Sequence, residues 1–216
     1  MTELIVAVDG PGGTGKSTVS RAVAERLELP HLDTGAFYRA ATLVALRVGA
    51  DLDDARAIED AVVGRSFSQS EGRMSVDGED VSEPIRGESI TTHVSRVSAH
   101  PKVREFFVDI QRSWVDAHNS RAVVEGRDIG SVVFPEATLK VYLDARPEIR
   151  ARRRALEGGE DIAAVEEDLE RRDRFDSSRT ASPLMVADDA VVIDTSEMTF
   201  DQVVERVVSM VGSISA

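Results

Sequence analysis

Cysteine is absent from all 216 residues, which excludes a disulfide framework and any thiolate-held metal. Long apolar runs are missing as well. The one near the start, residues 4–8, stops at Asp9 and follows the acidic stretch Met1, Thr2, Glu3. It is too short for a membrane span and wrongly flanked for a signal peptide, so a cytoplasmic chain is expected. Positive charge is in short supply: 26 Lys and Arg against 39 Asp and Glu leave a formal net charge of −13. That balance argues against nonspecific binding to nucleic acid or to an anionic membrane. Lysine is scarcest of all, with only Lys16, Lys102 and Lys140, so the other 23 basic residues are arginines.

What is present reads as an ordinary globular chain, 42% hydrophobic and 30% charged, long enough for one good core. Residues 4–8 read as a strand buried on both faces. A helix follows over 17–27, a short strand over 29–32, and a helix over 34–48. Residues 65–85 differ, with short alternating pieces around Phe67, Met74, Val76 and Val81 and turn pairs at Glu71, Gly72 and at Asp77, Gly78. That pattern predicts a small antiparallel meander. Helices are expected over 87–98 and 101–117, the second with Pro101 in its first turn and Val103, Phe106, Phe107, Ile110 and Trp114 at helical spacing. Further strands are expected at 121–125, 138–143 and 190–193, and a closing helix carries Phe200, Val203, Val204, Val207, Val208 and Val211. Strands alternating with helices predict an α/β fold with a mainly parallel sheet.

Gly10, Pro11, Gly12, Gly13, Thr14, Gly15, Lys16 and Ser17 match the pattern G-x-x-x-x-G-K-S/T without a mismatch. A polyphosphate must be wrapped by backbone N–H groups, which demands residues that tolerate unusual dihedrals, followed by a helix whose N-terminus faces the anion. The stretch from Gly10 to Thr18 is therefore the expected ATP site. Lys16 would reach the β- and γ-phosphates, and the Ser17 hydroxyl would ligate Mg²⁺. A glycine-rich turn that binds nothing is the bland alternative, and its place between a buried strand and a helix argues against it. Arginine also crowds between Arg146 and Arg179, where Glu166, Glu167, Asp168 and Glu170 are interspersed. A specific anion site and an ion-paired helix explain that pattern equally well.

Three further blocks decide the reaction: DTGAFYR at 33–39, EGRDIGSVVFP at 125–135 and RDRFDSSR at 172–179. Together with the glycine loop, and in this order, they resemble the signature blocks of bacterial-type cytidylate kinases over residues 4–208. The resemblance implies a P-loop kinase with a five-stranded, mainly parallel sheet that moves the γ-phosphate of ATP, with Mg²⁺, onto CMP or dCMP. It implies one domain, 1–216, with an acceptor-binding region at 33–120 that contains the β insertion at 65–86, and an arginine-rich lid at 150–175. It places CMP between the P-loop core and the insertion, contacted by Thr34, Arg39, Ser95, Arg104, Arg127, Asp128, Arg172, Asp176 and Arg179. Lys16, Arg127, Asp128 and Arg179 are the expected catalytic set, in a monomer acting on small molecules alone.

The residue types suit that chemistry. Two anions must be held in line, and the planar fork of arginine grips phosphate through paired N–H bonds. Each position has a plainer reading as well. Asp33 would serve as a helix cap, spacing alone makes Ser95 and Arg104 surface residues, and Arg127 and Asp128 would pair with each other. Arg172, Asp176 and Arg179 fit a salt-bridged ladder. The chain departs from the family pattern at Thr34, where serine is usual, at Ser182, where alanine is, and in a shorter segment at 155–164. A different acceptor on the same scaffold, or a P-loop switch that only hydrolyses nucleotide, are the competing functions.

Overall fold

Valine-rich strands with little polar content pair side by side and need cover on both faces, and this chain builds outward from one such strand. The computed structural model describes residues 3–159, 161–179 and 181–214, with only the backbone of Glu157. Met1 and Thr2, from the acidic start, and Glu160, within the expected lid, lie outside the described residues. Two compact units divide the chain, Met1–His31 with Val115–Ala216, and Leu32–Trp114.

The first unit grows around β1 (Leu4–Asp9), where Val6, Ala7 and Val8 are fully buried. α1 (Lys16–Arg26) follows, and β2 (His31–Asp33) closes the stretch. After the second unit the chain returns through β6 (Arg121–Glu125), a π-helical turn at Ile129–Val133, and β7 (Leu139–Asp144). Then come α6 (Pro147–Gly158), α7 (Ile162–Ser178), β8 (Val191–Asp194) and α8 (Phe200–Ile214). The five-stranded sheet runs β2-β6-β1-β7-β8, with β1 parallel to both β6 and β7, and β7 parallel to β8. Val6, Val8, Val123, Val141, Leu143 and Ile193 from the strands pack with Val19 and Val23 of α1 and Val203, Val204 and Val207 of α8. Each such side chain contributes about 1.5–3 kcal/mol of apolar transfer. α6 and α7 form a hairpin with its own small core of Ala151, Ala155, Val165 and Leu169, broken at Gly159 in the left-handed region.

The second unit carries α2 (Thr34–Arg47), α3 (Ala55–Val62), β3 (Phe67–Ser70), β4 (Arg73–Val76), β5 (Glu79–Asp80), α4 (Glu88–Val97) and most of α5 (Pro101–Ala117). The expected meander is an antiparallel β3-β4-β5 sheet. Its two-residue turns have positive φ at Glu71 and Gly72 and at Asp77 and Gly78, the mirror-image geometry that tight hairpins favour. α3 was not expected. At eight residues it is too short for its buried Ile58, Ala61 and Val62 to establish a period, and Asp54, whose carboxylate accepts the Arg56 N–H at 2.9 Å, starts it.

Aromatic rings hold this unit together. Phe107 is fully buried and meets Phe37, Tyr38, Phe67 and Phe106 at centroid separations of 5.7, 5.2, 4.9 and 5.3 Å. Phe107→Ala is expected to cost about 3–5 kcal/mol, because the rings around the hole cannot all collapse into it. Urea unfolding measures this, and a wild-type midpoint would contradict the packing.

Candidate active site

β1 delivers the chain to the carboxyl edge of the sheet, where open α/β sheets take their ligands. The turn beyond it is glycine for steric reasons. Gly10 and Gly13 have φ of 145° and 77°. A Cβ on Gly10 would collide with the Leu143 carbonyl, and one on Gly13 would lie 2.8 Å from the Arg150 carbonyl oxygen. α1 opens on Gly15 in the left-handed conformation, with no side chain capping its first turn. Its leading N–H groups therefore face outward, as an anion site requires.

Lys16 folds back over the loop and donates to the Pro11 carbonyl at 2.6 Å, an oxygen that also accepts from the Thr14 hydroxyl at 3.1 Å. Burial, reinforced by the positive charge of Arg127, pushes its ammonium down to about 7 against the pull of Glu125, Asp173 and Asp9. The next residue, Ser17, donates its hydroxyl to Glu125 Oε2 at 2.8 Å. Glu125 is the buried last residue of β6, and its other oxygen lies 3.2 Å from His31 Nε2. One hydroxyl beside one carboxylate suits Mg²⁺, which takes few protein ligands and completes its shell with phosphate and water.

At the end of β1, Asp9 accepts the Ile129 N–H on Oδ1 at 2.8 Å and the Gly130 N–H on Oδ2 at 2.7 Å. Burial pushes its carboxyl up to about 6; the Gly130 and Ile129 N–H groups oppose the shift, Asp128 adds to it, and Lys16 opposes it. The turn so held begins just after Arg127 and Asp128. The Asp128 carbonyl accepts from the Val132 and Val133 N–H groups at 2.9 and 3.1 Å.

Arg127 does not pair with Asp128. It lies between two aspartates of α7, with Nη1 3.5 Å from Asp173 and Nε 3.3 Å from Asp176. Asp173 also pairs with Arg150, which in turn donates to the Gly12 carbonyl of the loop at 3.1 Å. Asp176 also pairs with Arg179. Burial holds Arg127 below the ordinary arginine range, and burial followed by the charge of Arg127 takes Arg172 down to about 10. The buried Nε–H groups of Arg150 and Arg172 have no hydrogen-bond acceptor among the described residues. Orphaned donors in a cationic cluster carry a desolvation cost that a bound anion would offset.

Of the residues expected from sequence, the first unit thus gathers Lys16, Ser17, Arg127, Asp128, Arg172, Asp176 and Arg179 at one end of its sheet. The ladder reading holds for one link, Asp176 to Arg179, while Asp176 also reaches out of its helix to Arg127. Asp9, Glu125, Arg150 and Asp173 join them, although none stood in the expected set of site residues. Asp9 and Glu125 had a usable signal, an acid ending a buried strand; Arg150 had only its place in the arginine-rich stretch.

The second unit holds the other four. Asp33 caps α2 by accepting the Ala36 N–H at 3.1 Å, and Thr34 is buried just inside that cap. Arg39 donates to the Ile85 carbonyl at 3.2 Å and to the Thr91 hydroxyl at 3.0 Å. Ser95 and Arg104 are buried, contrary to their spacing. The Arg104 guanidinium lies 5.1 Å from the Tyr38 ring centroid and donates to the Ser98 carbonyl at 3.1 Å, while the Ser98 hydroxyl donates to the Ser95 carbonyl at 3.2 Å. An aromatic face and a carbonyl together make burial of that cation tolerable, which spacing could not reveal.

Comparison with known proteins shows the family. The family model for cytidylate kinase matches residues 6–213. A cytidylate kinase of Rhodococcus jostii is 51% identical, with 98% of this chain and 96% of the relative covered; one of Mycobacterium leprae is 47% identical, with the same coverage. Among solved structures, an uncharacterized protein from Eubacterium ventriosum superposes with a TM-score of 0.57 at 10% identity, covering 98% of this chain and 99% of the other. The protein TT1252 from Thermus thermophilus does so with 0.52 at 17%, covering 99% and 98%. At that identity the structures speak for the fold alone. Among the described residues, no helix is long and apolar enough to cross a membrane.

Proposed function

The chain belongs to the cytidylate kinase family, and from that membership we infer that it transfers the γ-phosphate of ATP to CMP or dCMP, giving ADP and CDP or dCDP. The observation that carries the reading is the pairing, within one unit, of an open phosphate cradle with a second set of buried guanidiniums. A protein that only hydrolyses or senses nucleotide has no use for the second set.

The residue roles follow from charge and geometry. The loop amides and Lys16 hold the donor β- and γ-phosphates. Arg127 and Arg179, oriented by Asp173 and Asp176, hold the acceptor phosphate and the transferring group, with Arg172 adding positive charge. Thr34, Arg39, Ser95, Arg104 and Asp128 supply acceptor contacts. Ser17 and Glu125 would hold Mg²⁺, which screens phosphate charge when bound. The acceptor is already a phosphate oxygen, so no protein nucleophile is needed, and catalysis reduces to positioning and electrostatics.

Cytosine presents an amino donor where uracil presents a carbonyl, and a pocket of hydroxyl, aspartate and arginine distinguishes the two. One unpaired buried polar group costs roughly 1–3 kcal/mol, about tenfold or more. In a coupled ADP assay, CMP and dCMP are expected to turn over at least about tenfold more efficiently than UMP or AMP. AMP matching CMP would end the acceptor assignment, and ATP hydrolysis without acceptor at the CMP rate would favour a hydrolase.

A further inference from the structure

We propose that Asp9 is a positioning residue that latches the turn following Arg127 and Asp128 to the phosphate cradle. The proposal rests on the acceptor role given above to those two residues. Asp9 is the last residue of β1, directly before the glycine loop, so its backbone shares the rigidity of the sheet's central strand. Each carboxylate oxygen accepts a different N–H, from Ile129 at 2.8 Å and from Gly130 at 2.7 Å. The turn has a packing neighbour on the same side. A Cβ on Gly130 would lie 3.1 Å from the Lys140 stem and 3.4 Å from Asp9 Oδ2. That stem is itself pinned, because the Lys140 ammonium donates to both Asp189 oxygens at 2.8 and 2.9 Å. The turn is therefore held by a carboxylate that accepts its N–H groups and packed by an alkyl chain beside it, and Arg127 leaves this clamp with a defined direction.

The charge on Asp9 is needed for this. A neutral amide of the same shape accepts through one oxygen and turns an N–H₂ toward the second N–H, exchanging a bond for a donor–donor clash. A protonated carboxyl loses the charge and keeps only a weaker acceptor on its hydroxyl oxygen. The groups facing Asp9 are Lys16 from α1, Asp128 from the turn, and Tyr142 with the Lys140 stem from β7. With the carboxyl titrating at about 6, the latch is closed at neutral pH and opens as pH falls through that value.

Asp9→Asn tests this. Its KM for CMP is expected to rise about tenfold, the effect of one lost charge-assisted hydrogen bond, while KM for ATP stays within about twofold. The acid limb of kcat/KM for CMP near pH 6 should disappear relative to wild type, since titration of the substrates' own phosphates is common to both enzymes. Protection of the Ile129 and Gly130 amides against exchange, taken relative to the intrinsic rate at each pH and read without substrate, should fall in the variant and in wild type below that pH. Gly130→Ala, which crowds the turn but leaves the carboxylate intact, should reproduce the KM split and keep the acid limb. A folded Asp9→Asn protein with wild-type KM for CMP and unchanged exchange would overturn the latch, as would equal losses for both substrates. Should Asp9→Asn fail to fold, a wild-type KM for CMP in Gly130→Ala is the overturning result. Wild-type turnover of CMP tests the kinase assignment separately, and the exchange measurement judges the clamp even if that assignment fails.

Discussion

Lys16→Ala lowers kcat by about a thousandfold, the upper range for removing a preorganised charge from a transferring phosphoryl group, with far-UV circular dichroism and thermal midpoint unchanged. The fold survives because the ammonium donates to the Pro11 carbonyl of its own loop rather than to a core side chain. The chemistry suffers because no other lysine or arginine lies within the loop itself. The same residue supplies a second readout. In the free protein Lys16 titrates at about 7, held down by burial and by Arg127. A triphosphate in the cradle adds negative charge and raises that value, so binding takes up a proton. Near pH 7 about half of the ammonium groups are neutral before binding, and roughly half a proton should be taken up per ATP. Affinity should weaken as pH rises above 7. Calorimetry in buffers of different ionisation enthalpy measures the uptake. Its absence, or its persistence in Lys16→Ala, would refute the assignment, and so would full activity in the variant.

Arg179→Ala is expected to lower kcat/KM for CMP about a hundredfold and to leave KM for ATP within about threefold, since it removes a forked phosphate contact and the alignment it enforces. Asp176 keeps Arg127 as a partner, so the loss is not a collapse of the cluster. Arg179→Lys should recover only part, because an ammonium retains charge without the planar fork. Arg174→Ala is the matched control. Its side chain is 72% exposed and reaches Glu170 at 3.6 Å, a surface pair worth at most about 1 kcal/mol. A loss on the ATP side that equals or exceeds the loss on CMP would place Arg179 with the donor instead.

Where chemistry is local, the primary structure was enough. α5 runs Pro101–Ala117 as expected, because a proline start and apolar residues at helical spacing act within a turn or two. The β3-β4-β5 meander was legible for the same reason, since Asp77 and Gly78 dictate a hairpin through their own dihedrals. β2 came out two residues late, at His31–Asp33, and α3 was missed; both are too short for a pattern to outweigh their neighbours. Ser95 and Arg104 looked like surface because spacing reports which face of a helix a residue occupies, while burial depends on what packs there.

By itself, then, the sequence determined the alternating α/β architecture, the glycine-loop cradle with Lys16, and the family. Each is written in residues adjacent along the chain. It took the folded chain to show that Arg127 is held by Asp173 and Asp176, some fifty residues away, rather than by its neighbour Asp128, that Ser17 meets Glu125, and that Asp9 holds the turn at Gly130. Such pairings are chosen by which strand ends the parallel sheet brings to one edge. Groups that far apart leave no mark of their partnership in local periodicity; Ser17 meets Glu125, and Asp9 the turn at Gly130, because β1 and β6 lie side by side.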